Sequence, residues 1–525
     1  MGYWNEAPLP RDQIVLIATT LGDRIPDTHP VRLFYEILSS LDWSTWENCY
    51  CRVAGQPPIP PMIVAGAILY GMSQGIRSSR RLEWACGNAV DFMWLVEGRH
   101  IDHSTFCNFR TRFERELKDI FRQIGRLAMS MGLIRLNQVA LDGTRVRANS
   151  SRHATASAKT LEERAQVLNA QIEEMFAAAQ QTDQRDQDLF GEAVSASTLP
   201  PELADLKRRQ AALKKALEAA QKIDAKRQQR KDAPKKAAKV PVADVESSVL
   251  PNKEGGYAPN HTPMAATDGH QGLIVDCDVI AAGTVEAEAV IPTVERIEAN
   301  LGTVPGQLLA DAAFPTGQNL TDLESRGVEP VMPAELARLD DQNPAQRADP
   351  TRPVAETDWP KLPRNPQSKK LDKAAFVYDA AQDCYYCPMG QRMAPTHATR
   401  DRKQCGDSIY QIYTCSDCSG CLLAGECLGK KAKSRSVARD QHESAREALA
   451  VRMKTPAARA TYARRAWIAE TPNAVIKAWM GLRQFLLRGL DKVRTEWRWA
   501  CTAYNLRKMV TVVAALRARF AMAMG

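Results

Sequence analysis

The sequence predicts an α/β protein, with a mixed sheet flanked by helices and an all-helical region before it. Apolar residues recur at helical spacing through much of residues 28–135. After Gly255, short apolar runs alternate with amphipathic segments in strand-helix-strand order, the pattern of parallel strands joined by crossover helices. Asp142 and Asp311 each end an apolar run, where α/β folds place their ligands.

Composition limits the class of protein. A chain of 525 residues is too long for one core, so two to four domains are expected. Its 44% hydrophobic and 25% charged residues are typical of soluble globular proteins. No apolar run approaches the roughly 20 residues that span a bilayer, and the start has no signal-peptide core. We therefore expect a cytoplasmic protein with no membrane partner, whose thirteen cysteines are reduced.

Shifts in pattern divide the chain into six segments. We expect an N-terminal helical DNA-binding domain over 1–135 and a catalytic core in two parts, over 136–154 and 241–335. A helical-hairpin insertion over 155–240 separates the two parts of the core. A loop-rich insertion with a zinc module over 336–435 and a basic helical part of the catalytic domain over 436–525 follow. The hairpin carries a heptad stripe and ends in the basic run 222–239, and the sequence leaves open whether it mediates dimerisation or contacts DNA.

Positive charge is concentrated at the C-terminal end. From Leu428 onward there are 21 Lys and Arg against 6 Asp and Glu, within a chain of net charge +9. This polarity favours a polyanionic partner, with nucleic acid the leading candidate, over a set of solvated helix faces.

The first candidate acid, Asp142, follows three apolar residues and precedes Gly143. The alternating run after it predicts the second arm of a β-hairpin and brings basic residues close to the carboxylate: Arg145, Arg147 and His153. A carboxylate amid positive charge suits a site where a metal ion and a polyanion meet. The alternative is a strand-end Asp that makes a turn with Gly143.

Two further acids complete a possible set. Asp311 ends the apolar run 307–311, and Glu470 lies in a helical segment with Arg465 before it and Lys477 after it. A surface ion pair is the alternative role for Glu470, and Thr471-Pro472 predicts a kink or a restart of the helix beside it. Carboxylates from distant elements are typical of sites that bind two divalent metals and act on phosphodiesters.

Seven cysteines cluster between residues 384 and 427. Two C-x-x-C pairs and Cys427 predict a structural four-thiolate zinc site. The ligands that we favour are Cys387, Cys415, Cys418 and Cys427, with Cys384 and Cys421 as alternates.

Several blocks resemble DDE-type transposases of bacterial insertion sequences, whose catalytic domain is RNase H-like. They are THPVRL, PPMIVAGAILYGMSQGIRSSRRLE and IDHSTFCNFRTRF near the N-terminus, LDGTRVRANSSRH and LLADAAFPTGQNL at the first two acids, the cysteine block, and FLLRGLDKVRTEWRWACTAYNLRKM near the end. The third acid resembles the branch with a Tyr-Arg-Glu-Lys signature, through Tyr462, Arg465, Glu470 and Lys477. The resemblance covers nearly the whole chain.

This resemblance implies that Asp142, Asp311 and Glu470 bind two Mg²⁺ or Mn²⁺ ions. It implies hydrolytic nicking at the terminal inverted repeats of the element, followed by attack of the freed 3′-hydroxyl on target DNA. It also implies a bacterial, nucleoid-associated protein that acts as a homodimer in its DNA complex.

The resemblance also assigns DNA contacts. Arg465 and Lys477 are expected at the DNA backbone, and Tyr462 at a phosphate or a base of the element end. Phe314 stands where related chains often have Tyr, so it is expected to stack on DNA without donating a hydrogen bond. Arg145, Arg147 and His153 become candidate DNA contacts as well. The alternative functions are an RNase H-like nuclease without strand transfer, a zinc-containing DNA-binding regulator, and a decayed copy.

Overall fold

The computed structural model describes residues 20–50, 57–151, 153–190, 201–228, 237–251, 255–334, 342–401, 408–429 and 432–524. Cys405 and residues 229–236 of the predicted basic run lie outside the described residues. No helix in the described ranges has a stretch long and apolar enough to cross a membrane.

The N-terminal region is helical, as predicted. Its helices are α1 Pro30–Ser39, α2 Ser44–Glu47, α3 Pro61–Ser73, α4 Ser79–Asn88, α5 Val90–Leu95, α6 His103–Arg112 and α7 Glu114–Ser130. Helix α3 is buried on nearly every side, which makes it the centre of this bundle. Asp102 caps α6 by accepting a hydrogen bond from the Ser104 backbone N–H at 2.7 Å.

The next segment enters the sheet and leaves it for a helical hairpin. Its elements are β1 Gln138–Gly143, β2 Val146–Arg147, β3 Thr155–Ala156, α8 Ala158–Phe190, α9 Pro201–Gln228 and β4 Val240–Pro241. Strands β3 and β4 pair with each other, so the hairpin joins the rest of the molecule through a two-stranded neck. Leu161, Leu168 and Ile172 of the predicted heptad stripe are buried.

The remaining part of the sheet is β5 Ser248–Pro251, β6 Tyr257–Asp268, β7 Ile274–Ile280, β8 Gln307–Leu309 and β9 Glu329–Val331. A 3₁₀ turn over Glu286–Ala289 and α10 Val290–Leu301 link β7 to β8, and α11 Gly317–Ser325 links β8 to β9. Strand β1 pairs antiparallel with β6 and parallel with β8, while β8 pairs parallel with β9 and β7 pairs antiparallel with β6. The predicted mixed sheet with crossover helices is confirmed, in the order β7-β6-β1-β8-β9.

The predicted hairpin between β1 and β2 is wrong. Both strands pair with the twelve-residue strand β6: β1 with its second half and β2 with His261 and Asn260 in its first half. The backbone N–H of Thr144, between them, donates to Pro263 O at 2.8 Å. Because β6 is long enough to flank both segments, the chain continues along one edge after Gly143 and does not turn back.

The cysteine-rich segment forms a second sheet with its own apolar core. Its strands, in order across the sheet, are β10 Val377–Asp379, β11 Cys384–Tyr386, β12 Arg392–Asp401, β13 Ser408–Cys415 and β14 Ser436–Asp440, and its short helix is α12 Ala424–Cys427. All four pairings are antiparallel. Two 3₁₀ turns, Glu356–Lys361 and Lys373–Ala375, lie in the loops before it.

The C-terminal part is helical. Its elements are α13 Glu443–Lys454, α14 Pro456–Ala463, α15 Arg465–Ala474, a π-helical turn over Val475–Trp479 and α16 Leu490–Met524. Helix α16 packs against β7 on the sheet and against α1, α3 and α7 of the N-terminal bundle. The sheet and the N-terminal helices therefore share one continuous hydrophobic core.

Candidate active site

Asp142 lies near the carboxyl end of β1, the central strand of the sheet. The three residues before it, Val139 to Leu141, are fully buried, and they fix the strand in the core. Asp142 itself is opposite Ala265 of β6, and its side chain is 19% exposed. The first acid therefore lies on the central, buried strand of the sheet, and part of its side chain remains exposed to solvent.

Asp311 follows β8, the parallel neighbour of β1. Its Oδ1 accepts a hydrogen bond from the Ala313 backbone N–H at 2.8 Å, which fixes the carboxylate in the turn after the strand. Because β1 and β8 are parallel and adjacent, Asp142 and Asp311 lie at the same edge of the sheet.

Glu470 is carried by α15, which packs against β1 and β6. The buried side chains of Ile468 and Ala469 form the contact, and Gly269 makes room for it: a Cβ there would lie 3.1 Å from Cδ1 of Ile468. Glu470 is exposed beside this contact. The helix thus brings the third acid to the edge of the sheet that holds the other two.

The three carboxylates share one electrostatic environment. Burial raises the pKa of Asp142, Arg465 opposes that shift, and the charges of Asp311 and Glu470 add to it. The ligand oxygens of the three acids do not all lie within 4.8 Å of one another. Ligands of two ions that are about 3.5–4 Å apart need not meet at one point, and like charges repel. The three acids are therefore close enough to influence the pKa of Asp142 but do not form one tight cluster.

Two side chains of α15 hold Asp142. Nη1 of Arg465 lies 3.5 Å from its Oδ1, and Nδ2 of Asn473 donates to its Oδ2 at 3.4 Å. Oδ1 of Asn473 is buried and has no hydrogen-bond partner. A free amide oxygen among carboxylates gives the hard oxygen donors that Mg²⁺ and Mn²⁺ prefer, so the residues present fit such ions.

Lys477 belongs to the π-helical turn that follows α15. The helix does not restart at Thr471-Pro472, because Pro472 lies within α15, and a π-helical turn comes after it. The Lys477 ammonium donates to Oγ1 of Thr144, two residues beyond Asp142. The guanidinium of Arg465 lies 5.9 Å from the ring centre of the half-buried Tyr462. The Tyr, Arg and Lys of the predicted signature therefore border the acids.

The basic residues after Asp142 point outward. Arg145 and Arg147 are exposed on either side of the buried Val146. Arg145 donates to Pro251 O at 2.8 Å, and the backbone of Arg147 bonds to Arg483 O and to the Phe485 N–H. His153 is exposed in the segment between β2 and β3.

Phe314 is not exposed for the DNA contact that the resemblance implied. It is 0% exposed and belongs to the main hydrophobic core. The Asp311 turn directs its ring inward, so it cannot stack on a base without leaving the core. The prediction for this residue is wrong.

Sequence reasoning missed Glu286 and Asn473. Glu286 is half-buried at the start of the 3₁₀ turn, and burial raises its pKa, with Asp311 and Asp142 adding to the shift. Glu286 lies in a 3₁₀ turn of its own before α10, so its position does not follow from the periodicity of that helix. Asn473 lies three residues after Glu470, and that helical spacing was a signal that could have found it.

The cysteine cluster differs from the predicted zinc site. Five thiols line one cavity of about 350 Å³: Cys387, Cys415, Cys418, Cys421 and Cys427. Cys384 is fully buried and does not line it, which removes one of the two alternates. In the described residues, only Glu83, Asp102 and His103 form a group whose potential ligand atoms all lie within 4.8 Å. No zinc site is therefore evident among these thiols.

One thiol of this cavity is chemically distinct. A hydrogen bond from Cys415 lowers the pKa of Cys387 to about 6, whereas burial raises the pKa of Cys427 to about 11.

Two models of known families match parts of the chain. A family described as "Transposase DDE domain" matches residues 386–510, and one described as "Transposase domain (DUF772)" matches residues 19–112. The chain carries a DDE transposase domain. No curated protein matches it in a sequence comparison.

A chain with this domain is a polynucleotidyl transferase, and both matches imply that it binds DNA. The first match contains Glu470 and Lys477 together with most of the cysteine-rich sheet, and the second contains the N-terminal helices up to α6. Asp142 and Asp311 lie between the two matched segments. Enzymes with this domain use divalent metals, which agrees with the acids at the edge of the sheet.

Proposed function

We propose that this transposase cleaves DNA at the ends of an insertion sequence and joins the freed 3′-hydroxyl to target DNA. Asp142, Asp311 and Glu470 are the catalytic acids and would hold two Mg²⁺ or Mn²⁺ ions. The observation that carries the proposal is the position of Asp142 and Asp311 on adjacent parallel strands, with the helix of Glu470 packed on the same central strand. The strand order, antiparallel on one side of β1 and parallel on the other, supports an RNase H-like catalytic domain.

The metals, when bound, supply activation of the attacking hydroxyl and stabilisation of the leaving oxygen. The chain's own residues position the reactants. Arg465 neutralises part of the charge on Asp142, and Lys477 offers an ammonium to a phosphate beside Thr144. Tyr462, packed against Arg465, completes this side of the site.

DNA is held by exposed cations next to the acids. Arg145 and Arg147 face solvent on the segment that leaves the site, and His153 follows on the same segment. Such residues neutralise phosphates and give affinity that falls with rising salt. That two copies of the chain act together in the DNA complex stays a prediction.

The test uses a plasmid that carries the terminal inverted repeats flanking the gene. Asp142→Asn, Asp311→Asn and Glu470→Gln should each lower Mg²⁺-dependent cleavage roughly 10³-fold or more, because each removes a metal ligand worth several kcal/mol. DNA binding in a gel-shift assay should be largely retained. Asp491→Asn, whose side chain is 83% exposed, is the matched control and should cleave normally.

The products distinguish the alternatives. Strand-transfer products support the transposition reaction, whereas hydrolysis alone would indicate an RNase H-like nuclease. Undiminished cleavage in all three variants would contradict the assignment of the acids. DNA binding by the wild type without any Mg²⁺-dependent cleavage would instead favour a zinc-containing DNA-binding protein with structural acids.

We also propose that the cysteine cavity holds a structural Zn²⁺, with Cys387, Cys415, Cys418 and Cys427 as ligands. Five thiols around one cavity support it, but their sulfur atoms must move closer together to bind one ion. Mass spectrometry of the purified chain should find one zinc per chain, lost in Cys415→Ser and Cys418→Ser. The exposed Cys107→Ser is the control and should keep it. A wild-type protein purified without chelator and free of zinc would contradict this proposal.

A further inference from the structure

A fourth carboxylate lies next to the proposed metal site. Glu286 begins the 3₁₀ turn after β7, far from the three acids in sequence. A Cβ built on Gly143 would lie 3.1 Å from both Cδ and Oε2 of Glu286. The Glu286 carboxylate therefore lies against the backbone of the residue that follows Asp142.

Gly143 makes this approach possible. Its φ angle is not in the left-handed region, so the backbone does not require glycine there. A Cβ would also lie 3.0 Å from Sδ of Met264, its partner on β6. The space that glycine leaves open is thus taken by the Glu286 carboxylate.

The surroundings of Glu286 are mainly acidic. The charges that act on it are those of Asp311 and Asp142, with Arg145 as the opposing cation. Arg145 makes no ion pair with it, and within the described part of the chain Glu286 has neither a hydrogen bond nor an ion pair. Asp142, by contrast, has Arg465 and Asn473.

A half-buried carboxylate without a partner, close to two other acids, costs free energy unless a cation is bound. A second observation in the same site indicates a ligand. Asn473 is 7% exposed, its Nδ2 contacts Asp142, and its Oδ1 is buried without a partner. Both groups offer oxygen donors beside the same carboxylate.

We propose that Glu286 is a fourth carboxylate ligand of the divalent-metal site formed by Asp142, Asp311 and Glu470. This inference rests on the proposed function, because it assumes that those three acids bind metal. Four carboxylates balance the charge of two divalent cations, whereas three leave a net positive charge at the site. Glu286 is a ligand from an element that neither family match covers.

The test measures Mn²⁺ binding to the full-length chain by isothermal titration calorimetry. Glu286→Gln should weaken binding roughly tenfold or more, or abolish one of two binding events. Glu286→Asp keeps the charge but shortens the side chain, so it should also weaken binding if Glu286 ligates the ion. Glu288→Gln is the matched control, since it is exposed in the same turn and should bind Mn²⁺ like the wild type.

Thermal unfolding gives an independent readout. In EDTA, Glu286→Gln should melt at a higher temperature than the wild type, because it removes repulsion with Asp142 and Asp311. The rise in melting temperature that saturating Mn²⁺ produces should be smaller in the variant than in the wild type. A purely structural Glu would give a lower melting temperature in EDTA.

The failures of the two proposals differ. If Glu286→Gln and Glu286→Asp bind Mn²⁺ within twofold of the wild type while Asp142→Asn binds it weakly, the inference about Glu286 is overturned and the three-acid site stands. If Asp142→Asn also binds Mn²⁺ like the wild type, the metal site of the proposed function is itself overturned. If Glu286→Asp binds like the wild type and only Glu286→Gln is weak, Glu286 contributes charge and is not a ligand.

Discussion

At the scale of single residues, Asp142 is partly buried and is held by several neighbouring side chains. Its strand buries it, Arg465 and Asn473 hold its oxygens, and two further acids act on it. These contacts orient the carboxylate for a ligand, while burial and the acidic neighbours oppose its ionised form. The position of Asp142 therefore suits metal binding, but without a bound metal its ionised carboxylate lowers the stability of the folded chain.

This balance predicts how Asp142→Asn changes stability with pH. Because the pKa of Asp142 is raised in the folded chain, the folded state binds this proton more tightly than the unfolded state does. Its favourable contribution is present below the ordinary value of 3.8 and is lost as pH rises through the folded pKa. In EDTA, urea unfolding should show the variant to be more stable than the wild type, by a margin that widens from about pH 4 to about pH 8.

Asp491→Asn is the control for that series, because its exposed carboxylate should give no such margin. A margin that is the same at every pH would mean that the ionisation of Asp142 does not limit stability.

The sequence predicted some of the residues of the candidate site and missed others. Asp142, Asp311 and Glu470 were predicted because each follows or lies in an element with a clear pattern. The burial of Phe314 could not be predicted, since it depends on the direction of a turn set by Asp311 and by the core behind it. Glu286 was missed because its partners are brought to it only by the fold.

At the scale of elements, the loop of Asp311 depends on a close approach between two helices. Helix α11 begins at Gly317, against His442 just before α13. A Cβ on Gly317 would lie 2.5 Å from Nη1 of Arg446 and 2.6 Å from Cβ of His442. Thr321 and His442 are joined there by a 2.9 Å hydrogen bond between Oγ1 and Nδ1. Any enlargement of residue 317 must separate the two helices.

We therefore expect Gly317→Ala to lower the free energy of unfolding by about 1–3 kcal/mol, as overpacking does elsewhere. Urea unfolding measures this change. Gly87→Ala is the control, since Gly87 lies in α4 and a Cβ there meets nothing within 4 Å. The control should be neutral or more stable by up to about 1 kcal/mol. Equal loss of stability in both variants would contradict the packing argument.

Elements were predicted where the pattern is local. Strand-helix-strand order after Gly255 and the helical hairpin followed from periodicity and turn residues. The β1–β2 hairpin was wrong because the partner of both strands, β6, begins more than a hundred residues later. The irregularity after Glu470 was placed at Thr471-Pro472, whereas the structure has it in the π-helical turn. Neither the strand pairing nor the position of the helix irregularity follows from the residues adjacent in sequence.

At the scale of the whole molecule, the N-terminal helices and the catalytic sheet are joined by α16. Arg77, just before α4, forms a 2.7 Å ion pair with Glu496 on α16. Glu496 also accepts hydrogen bonds from the backbone N–H groups of Leu486 and Leu487, in the loop after the π-helical turn that carries Lys477. A partly buried ion pair thus connects the N-terminal helices with the loop beside the proposed active site.

Such connections could not be predicted from composition, which separates the chain into segments but says nothing about their contacts. The cysteine-rich sheet has a core of its own, in agreement with its distinct composition. The described N-terminal helices instead share one core with the sheet, although their pattern is equally distinct.

The paired strands β3 and β4 have a consequence for how this chain can change. Thr155 faces Pro241 and Ala156 faces Val240, so the chain leaves the catalytic sheet and returns to it at almost the same point. Strands this close can be joined by a turn of two residues. We therefore expect that the segment between these two strands can be shortened or exchanged without altering the order of the strands in the sheet. A redesign of this chain can therefore replace the segment that β3 and β4 join while the acids keep their positions in the sheet.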